Sequence, residues 1–575
     1  MALWAILCCA AWAAPKPEAA AKVEVELSGV SGAVRDNVLA SLSIYQQRQH
    51  ERLSAGRIKV LQRLAETEIR TAMEAFGYYQ AKVESDLKQK NGGWVASYHV
   101  VPGAPVKVDR IDLSLSGDGA NDPDFKRLID DFPLHRGDSF EHKPYENGKA
   151  SLQRLAAERG YFDARFTTSR VQIAESRDRA EIELHFDTGR RYHFGRVTYP
   201  QTRLSQNLLQ RFQPFQQGDP YDAAKLLDFE RRLNDSDYFA EVAVRPQREQ
   251  AAQDEVPIDT ELSMRKRNRY AAGVGYGTDT GPRARLEWQN RYLNRRGHRL
   301  GASLKISPAL SSLSSQYDIP LSDPAKDRLA FTGSATYENT KVKESSTLQA
   351  GVSHLTTRWG WNETLSLNYQ LESFTVGADR YTTGLLIPGG SWSRVWADNP
   401  VYTRKGWRLR FDIKGAPPVV LSDVAFIQTR IDGKFIHGLG DRGRVILRGD
   451  LGLTTTADFE KLPASLRFFA GGDNSIRGFT YESLGPRDSN DKPVGGRYLA
   501  VGSVEYEHQI RDKWSVAGFF DFGNAFNSLS DPVAYGTGVG VRWRSPVGLV
   551  RVDLGVGVSD PALPIHLHIV VGPDL

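Results

Sequence analysis

Two hydrophobic periods divide the chain. Up to about residue 265 apolar residues recur at steps of three and four, and from about Arg269 onward they alternate with polar or small ones. In the first part Leu61, Ala65, Ile69, Ala72, Met73 and Phe76 share one face of a predicted helix. Leu152, Leu155 and Ala156 mark a second such helix, and Leu226, Leu227 and Leu233 a third. Each runs into an aromatic pair and a strand: Tyr78-Tyr79, Tyr161-Phe162 and Tyr238-Phe239. The pairs recur after 83 and 77 residues, a period of small domains rather than of solenoid turns. Turns at Gly137-Asp138 and Gly218-Asp219-Pro220 precede the second and third helices. A later strand-like run closes each copy, at Trp94 to Val101, Ala180 to Phe186 and Pro257 to Ser263. The pattern predicts three α+β domains, each of two helices on a short sheet, at 22–103, 104–189 and 190–265. The aromatic pairs sit beside apolar residues without a shared basic cluster, so they read as core packing, not as a stacking platform for single-stranded nucleic acid.

In the second part, Val550, Val552, Leu554, Val556 and Val558 share one face while Arg551, Asp553, Gly555 and Gly557 share the other. Tyr535, Thr537, Val539, Val541 and Trp543 oppose Gly536, Gly538, Gly540, Arg542 and Arg544 in the same way. Trp514, Val516, Gly518, Phe520 and Phe522 oppose Ser515, Ala517, Phe519, Asp521 and Gly523, and Ile565, Leu567, Ile569 and Val571 oppose His566, His568 and Val570. Five outward apolar positions imply about ten residues, the length of a tilted spanning strand. A soluble sandwich also alternates, but its segments are shorter and its polar face is outside. Eleven such segments from Arg269 to Leu453 and five from Leu499 to Val571 predict a 16-stranded antiparallel transmembrane β-barrel over 266–575.

Between those two groups lies Gly471-Gly472-Asp473-Asn474-Ser475-Ile476-Arg477-Gly478-Phe479. Alone it reads as a surface loop with a solvated arginine. Strand parity changes that reading. Val504 and Tyr506 face outward, so Glu505 faces the lumen, and the same parity turns Asp521 inward. Two wall carboxylates on the strands just after the loop are placed to receive Arg477. A guanidinium pair shielded from water would hold a loop spanning about 462–498 inside the barrel.

Charge adds little, since Lys+Arg 74 against Asp+Glu 69 gives no argument for a nucleic-acid partner. Beyond the N-terminus no apolar run approaches the ~20 residues of a spanning helix, so any membrane insertion must use strands. The apolar run Ala2 to Ala10, followed by Ala11-Trp12-Ala13, reads as a signal peptide over 1–14, and Pro15-Lys16-Pro17 argues against a buried helix there. Its sparse positive charge leaves room for a start codon further upstream. Both cysteines, Cys8 and Cys9, lie within it, so the mature chain is expected to have no disulfide and no thiolate metal site. A lipid anchor at either cysteine is disfavoured by the large Ile6 and Leu7 before them.

The repeats resemble POTRA domains, and Ile476-Arg477-Gly478-Phe479 with Glu505 and Asp521 is similar to the inward-folded loop motif and carboxylate partners of the Omp85 superfamily. The resemblance covers essentially the whole mature chain. Three repeats, the stretch Gly275-Tyr276-Gly277-Thr278-Asp279-Thr280-Gly281-Pro282-Arg283 and the ending Val571-Gly572-Pro573-Asp574-Leu575 are similar to the superfamily's TamA branch. That ending departs from the terminal aromatic residue of most outer-membrane barrels. The resemblance implies a loop latch of Arg477, Gly478, Phe479, Glu505 and Asp521. It also implies a Gram-negative outer-membrane factor with periplasmic POTRA domains, which helps insert autotransporters and other outer-membrane proteins together with a TamB-like inner-membrane-anchored partner. Envelope phospholipid transport with that partner, or two-partner secretion, are the alternatives. The implied mechanism needs a weak seam between first and last strands, expected at Ala271, Gly273, Gly275, Gly277, Leu567 and Ile569. Glycine weakens a strand interior, an opened seam offers strand edges to an incoming chain, and a short hydrophobic wall is expected to thin the adjoining bilayer of outer-membrane lipids.

Rival chemistry finds little support. There is no G-x-S-x-G element, and no Lys-Ser/Thr comes after Gly273-x-Gly275-x-Gly277. His566 and His568 share the lumen face, but no third metal ligand is evident along the sequence, so neither enzyme activity, cofactor nor metal is expected. A passive porin would not need three periplasmic domains.

Overall fold

The computed structural model describes residues 22–572 apart from 51–52, 91–92, 401, 419–420, 529 and 546–547. The expected signal peptide, Cys8, Cys9 and the last three residues lie outside the described residues. By packing the chain divides into two compact units, one of residues up to 198 with 215–227 and 245–259, the other of 199–214, 228–244 and 260–575.

The first copy of the repeat contains β1 (Val23–Ser28), α1 (Gly32–Ser41), α2 (Ser43–Gln46), α3 (Ala55–Glu74), β2 (Lys82–Lys90) and β3 (Gly93–Val101). Its sheet has the order β1-β3-β2, with β3 parallel to β1 and antiparallel to β2. Alternation along β3 turns Ala96, Tyr98 and Val100 onto Leu61, Ala65 and Ile69 of α3, closing a single core. Phe76 falls beyond the end of α3 and is half-buried. The short extra helix α2 was not legible, because four residues carry no period.

The second copy contains β4 (Lys107–Ser116), α4 (Pro123–Asp130), α5 (His142–Arg159), β5 (Arg165–Ile173) and β6 (Arg179–Asp187), in the order β4-β6-β5. Asp122 caps α4, with Pro123 opening its first turn, and Gly160 ends α5 at φ +83°. The third contains β7 (His193–Thr198), α6 (Gln206–Gln210), α7 (Ala223–Asp235), β8 (Phe239–Pro246) and β9 (Glu255–Met264), in the order β7-β9-β8. On α7 Leu226 and Leu233 are buried, but Leu227 is exposed, which corrects its assignment to the apolar face. One residue of helix turns a side chain by about 100°, enough to carry it off a narrow stripe.

The aromatic pairs do more than fill cores. Tyr79 packs on the second copy's core and its hydroxyl lies 2.8 Å from His142 Nε2. Phe162 packs against Tyr192 and Tyr221 at ring separations of 5.4 and 5.0 Å. In the other unit Tyr238 donates its hydroxyl to the carbonyl of Gly297, in a barrel turn, at 2.5 Å. One member of each pair thus fastens its copy to the next element along the chain.

Eleven barrel strands, β10 (Asn268–Gly277) through β20 (Gly443–Thr456), precede the long loop. Five come after it: β21 (Tyr498–Arg511), β22 (Trp514–Phe526), β23 (Ala534–Ser545), β24 (Gly548–Gly557) and β25 (Ile565–Gly572). All sixteen form one sheet of consecutive antiparallel neighbours, as expected. Exposure alternates with the predicted parity: in β22, Trp514, Val516, Phe520 and Phe522 are exposed, while Ser515, Ala517, Phe519 and Asp521 are buried. No described helix is long and apolar enough to cross a membrane, so the spanning elements are these strands.

Candidate latch and seam

The loop between β20 and β21 lies against the inner wall because the wall makes room for it. Gly536 and Gly538 of β23 and Gly555 and Gly557 of β24 face the lumen. A Cβ on Gly536 would stand 2.0 Å from the Arg477 carbonyl oxygen, and one on Gly555 would stand 2.7 Å from the Gly478 nitrogen. Gly478 itself has φ +93°, and a Cβ there would meet the Val556 carbonyl carbon at 2.4 Å. Small residues on this face therefore form a trough for a backbone, not a wetted surface. Phe479 is buried over Gly557, and Ile476 and Phe479 join Phe468, Leu499, Val501 and Ala525 in an apolar cluster inside the barrel.

Arg477 sits at the centre of a buried charge network. Its Nε and Nη2 donate to the two oxygens of Asp521 at 2.8 and 2.9 Å, and its Nη1 donates to Glu505 at 2.7 Å. Its backbone N–H also donates to Asp521, at 3.0 Å. The guanidinium lies 3.4 Å from the Phe519 ring centroid. Sequence parity named Glu505 and Asp521 as its partners and did not name Asp553 of β24, which accepts from Nη1 at 3.2 Å. Arg542 of β23 bridges Glu505 and Asp553 at 2.7 and 2.5 Å, and Arg448 of β20 donates to the carbonyl of Ser475 at 2.7 Å. Three cations thus meet three carboxylates, which is what allows ionised groups to stay buried. Burial opposes the charge of Arg477, but the Asp521 hydrogen bonds and the three carboxylates more than offset this and raise its pKa above the ordinary guanidinium value.

Further anchors hold the rest of the loop. Lys343, at the start of β15 (Lys343–Arg358), reaches Glu482 at 3.0 Å and Glu338 at 3.2 Å. Glu372 of β16 (Trp361–Val376) accepts from the Ser465 N–H at 3.1 Å, and Arg467 donates to the carbonyls of Leu462 and Val494 at 2.9 and 3.0 Å. At the opposite end of the lumen the buried pair Arg444–Glu507, at 2.5 Å, joins the Tyr402 hydroxyl. A charged cavity of about 770 Å³ remains between loop and wall, lined by residues such as Arg410, Asp412, Arg430 and Asp450.

The expected seam residues lie on the first and last strands. Among the described residues Ala271, Gly273, Gly275 and Gly277 pair only toward β11 (Gly281–Asn290), and Leu567 and Ile569 only toward β24. Among the described residues no ladder joins β10 to β25. A Cβ on Gly273 would have nothing within 4 Å, and Val274 beside it is 93% exposed.

At the end of the barrel away from Asn268, His568 has companions that sequence order did not show. Asp279, Asp473 and His568 bring possible metal-ligating atoms within 4.8 Å of one another, which corrects the expectation that no third such group accompanies the histidines. Hydrogen bonds already engage all three: His568 Nδ1 lies 2.6 Å from Asp473, and the Asp473 N–H donates to Asp279 at 2.9 Å. Burial first, and then the Asp473 charge, pushes Asp279 up to about 6. His566, its neighbour on the lumen face, is outside this group.

Comparison with known proteins agrees with this architecture. Residues 264–564 match the Omp85 superfamily domain, and residues 24–102 match the POTRA domain described as TamA domain 1. The chain is 23% identical over 523 residues to the outer membrane protein assembly factor BamA of Nitratidesulfovibrio vulgaris, covering 84% of this chain and 64% of the relative. It is 20% identical over 511 residues to the protein of the same name from Neorickettsia risticii, covering 83% and 67%. The chain thus spans about two thirds of the length of these relatives. The crystal structure of BamA from Haemophilus ducreyi lacking POTRA domains 1-3 is similar in fold, with a TM-score of 0.68, 16% identity, and coverage of 81% of this chain and 100% of that one. A POTRA-type domain ahead of a 16-stranded barrel, and a family match over more than half its length, show that this chain belongs to the Omp85 superfamily, an outer-membrane barrel with periplasmic POTRA domains.

Proposed function

We propose that this protein inserts autotransporters and other outer-membrane proteins by opening its barrel between β10 and β25, in concert with a TamB-like partner anchored in the inner membrane. The observation that carries the reading is that, among the described residues, no ladder joins those strands in an otherwise continuous sheet. Unpaired edges are costly in lipid and are templates for another strand, so a seam of this kind trades local stability for the capacity to pair with a client. The glycines of β10 keep its own pairing weak, and the docked loop keeps the lumen from standing open. The match of the first domain to a TamA-type POTRA domain favours the TamB-like partner.

Photocrosslinking probes placed along Ala271 to Gly277 test the proposal in reconstituted membranes during assembly of an autotransporter barrel. Adducts between this strand and the client's terminal strand are expected. Adducts to phospholipid alone, with no client adduct at any position, would replace protein insertion with lipid transport.

A further inference from the structure

The polar contacts at the end of the barrel away from Asn268 form one connected chain across the seam. The Ile569 N–H, on β25, donates to Thr278 Oγ1, just after β10, at 3.2 Å. The Thr278 hydroxyl donates to Asp473 Oδ1 at 2.9 Å, and His568 Nδ1 lies 2.6 Å from the same oxygen. His568 Nε2 accepts from the Gly478 N–H at 3.0 Å, which places the ring proton on Nδ1 and makes the ring a donor to Asp473. Asp473 in turn donates its N–H to Asp279 at 2.9 Å. Gly472 permits this approach: its φ is +101°, and a Cβ there would stand 2.7 Å from an Asp279 oxygen. The side chains of His568 and Asp473 are 4% and 6% exposed, so bonds to the carboxylate are shielded from competing water.

The loop therefore holds the first hairpin through Thr278 and Asp279 and the last strand through His568, where no backbone ladder joins them among the described residues. We infer that Asp473 and His568 are positioning residues of a clasp: the inward loop is a crossbar over the seam, and the seam opens only when this clasp parts. The inference rests on the reading of the seam as the working edge. It separates two roles within one loop. Arg477 fixes the loop to the wall built by β21, β22 and β24, and Asp473 with His568 transmits that fixation to the two strands that must move apart.

The test uses the full chain in lipid nanodiscs with spin labels at Val274 and Leu567, both exposed on the outer face of the seam strands. A single short distance is expected for the parent. Asp473→Ala and Thr278→Val are each expected to raise the population at longer distances about tenfold, the equilibrium equivalent of losing a hydrogen bond to a charged group. His568→Gln keeps an acceptor for Gly478 and His568→Asn keeps a donor for Asp473, so each is expected to open the seam less than His568→Ala. An unchanged distance distribution in folded Asp473→Ala and Thr278→Val would overturn the clasp. Client insertion is measured on the same samples. Seams that open further with insertion unaltered would uphold the clasp and overturn the reading of the seam as the insertion edge.

Discussion

Arg477 shows how a buried cation is kept charged, through bidentate pairing to Asp521, a contact to Glu505 and a third carboxylate in Asp553. Arg477→Ala would leave those carboxylates short of one partner. It is expected to weaken loop docking by about 3–5 kcal/mol, the cost of breaking a buried pair. Limited proteolysis should then cleave within 462–498 while the barrel keeps its heat-modifiable mobility; a loop as resistant as the parent's would contradict this. Arg477→Lys is expected to fall between, since an ammonium cannot span both oxygens of Asp521. Glu505 and Asp521 were legible because alternation assigns each strand residue a side. Asp553 and Arg542 were legible as inward residues but not as members of the network, because parity does not say which wall strands a loop will meet. The grouping of His568 with Asp473 and Asp279 could not be read at all, since 95 residues of chain separate the first two and 194 the last two.

At the level of elements, β23 and β24 owe their glycines to the loop they carry. Gly536→Val should expel the loop while leaving the ladders of β23 intact, because the new side chain would occupy the place of the Arg477 carbonyl. Hydrogen exchange is expected to show loss of protection at the Arg477 and Gly478 amides with little change in the strands. Gly273 is the counterpart on β10, where a side chain meets nothing. Gly273→Ala should therefore stabilise the strand by about 0.5–1 kcal/mol and reduce seam opening, measured as slower client insertion at unchanged folding. The aromatic pairs carry a similar lesson. Their repetition and apolar setting predicted packing, but their use as fasteners depends on which element comes next after each copy. Tyr238→Phe, which removes the bond to the Gly297 carbonyl, is expected to cost about 1 kcal/mol in thermal unfolding.

For the whole molecule, the two periods were enough to separate three small sheets from a 16-stranded barrel, because each strand or helix declares its buried face locally. Closure is a different kind of property. Whether the first strand pairs with the last depends on residues 291 apart, as at Thr278 and Ile569, and no local pattern encodes it. The central claim is that β10 and β25 must separate for a client to enter the membrane. Cysteines at Tyr276 and Val571 test it most directly, since both are exposed on the seam strands, two residues from Thr278 and Ile569, and no other cysteine lies beyond Cys9. Oxidation to an intramolecular disulfide is predicted to abolish client insertion, with recovery on adding reductant. Full insertion by the tethered barrel would contradict the account.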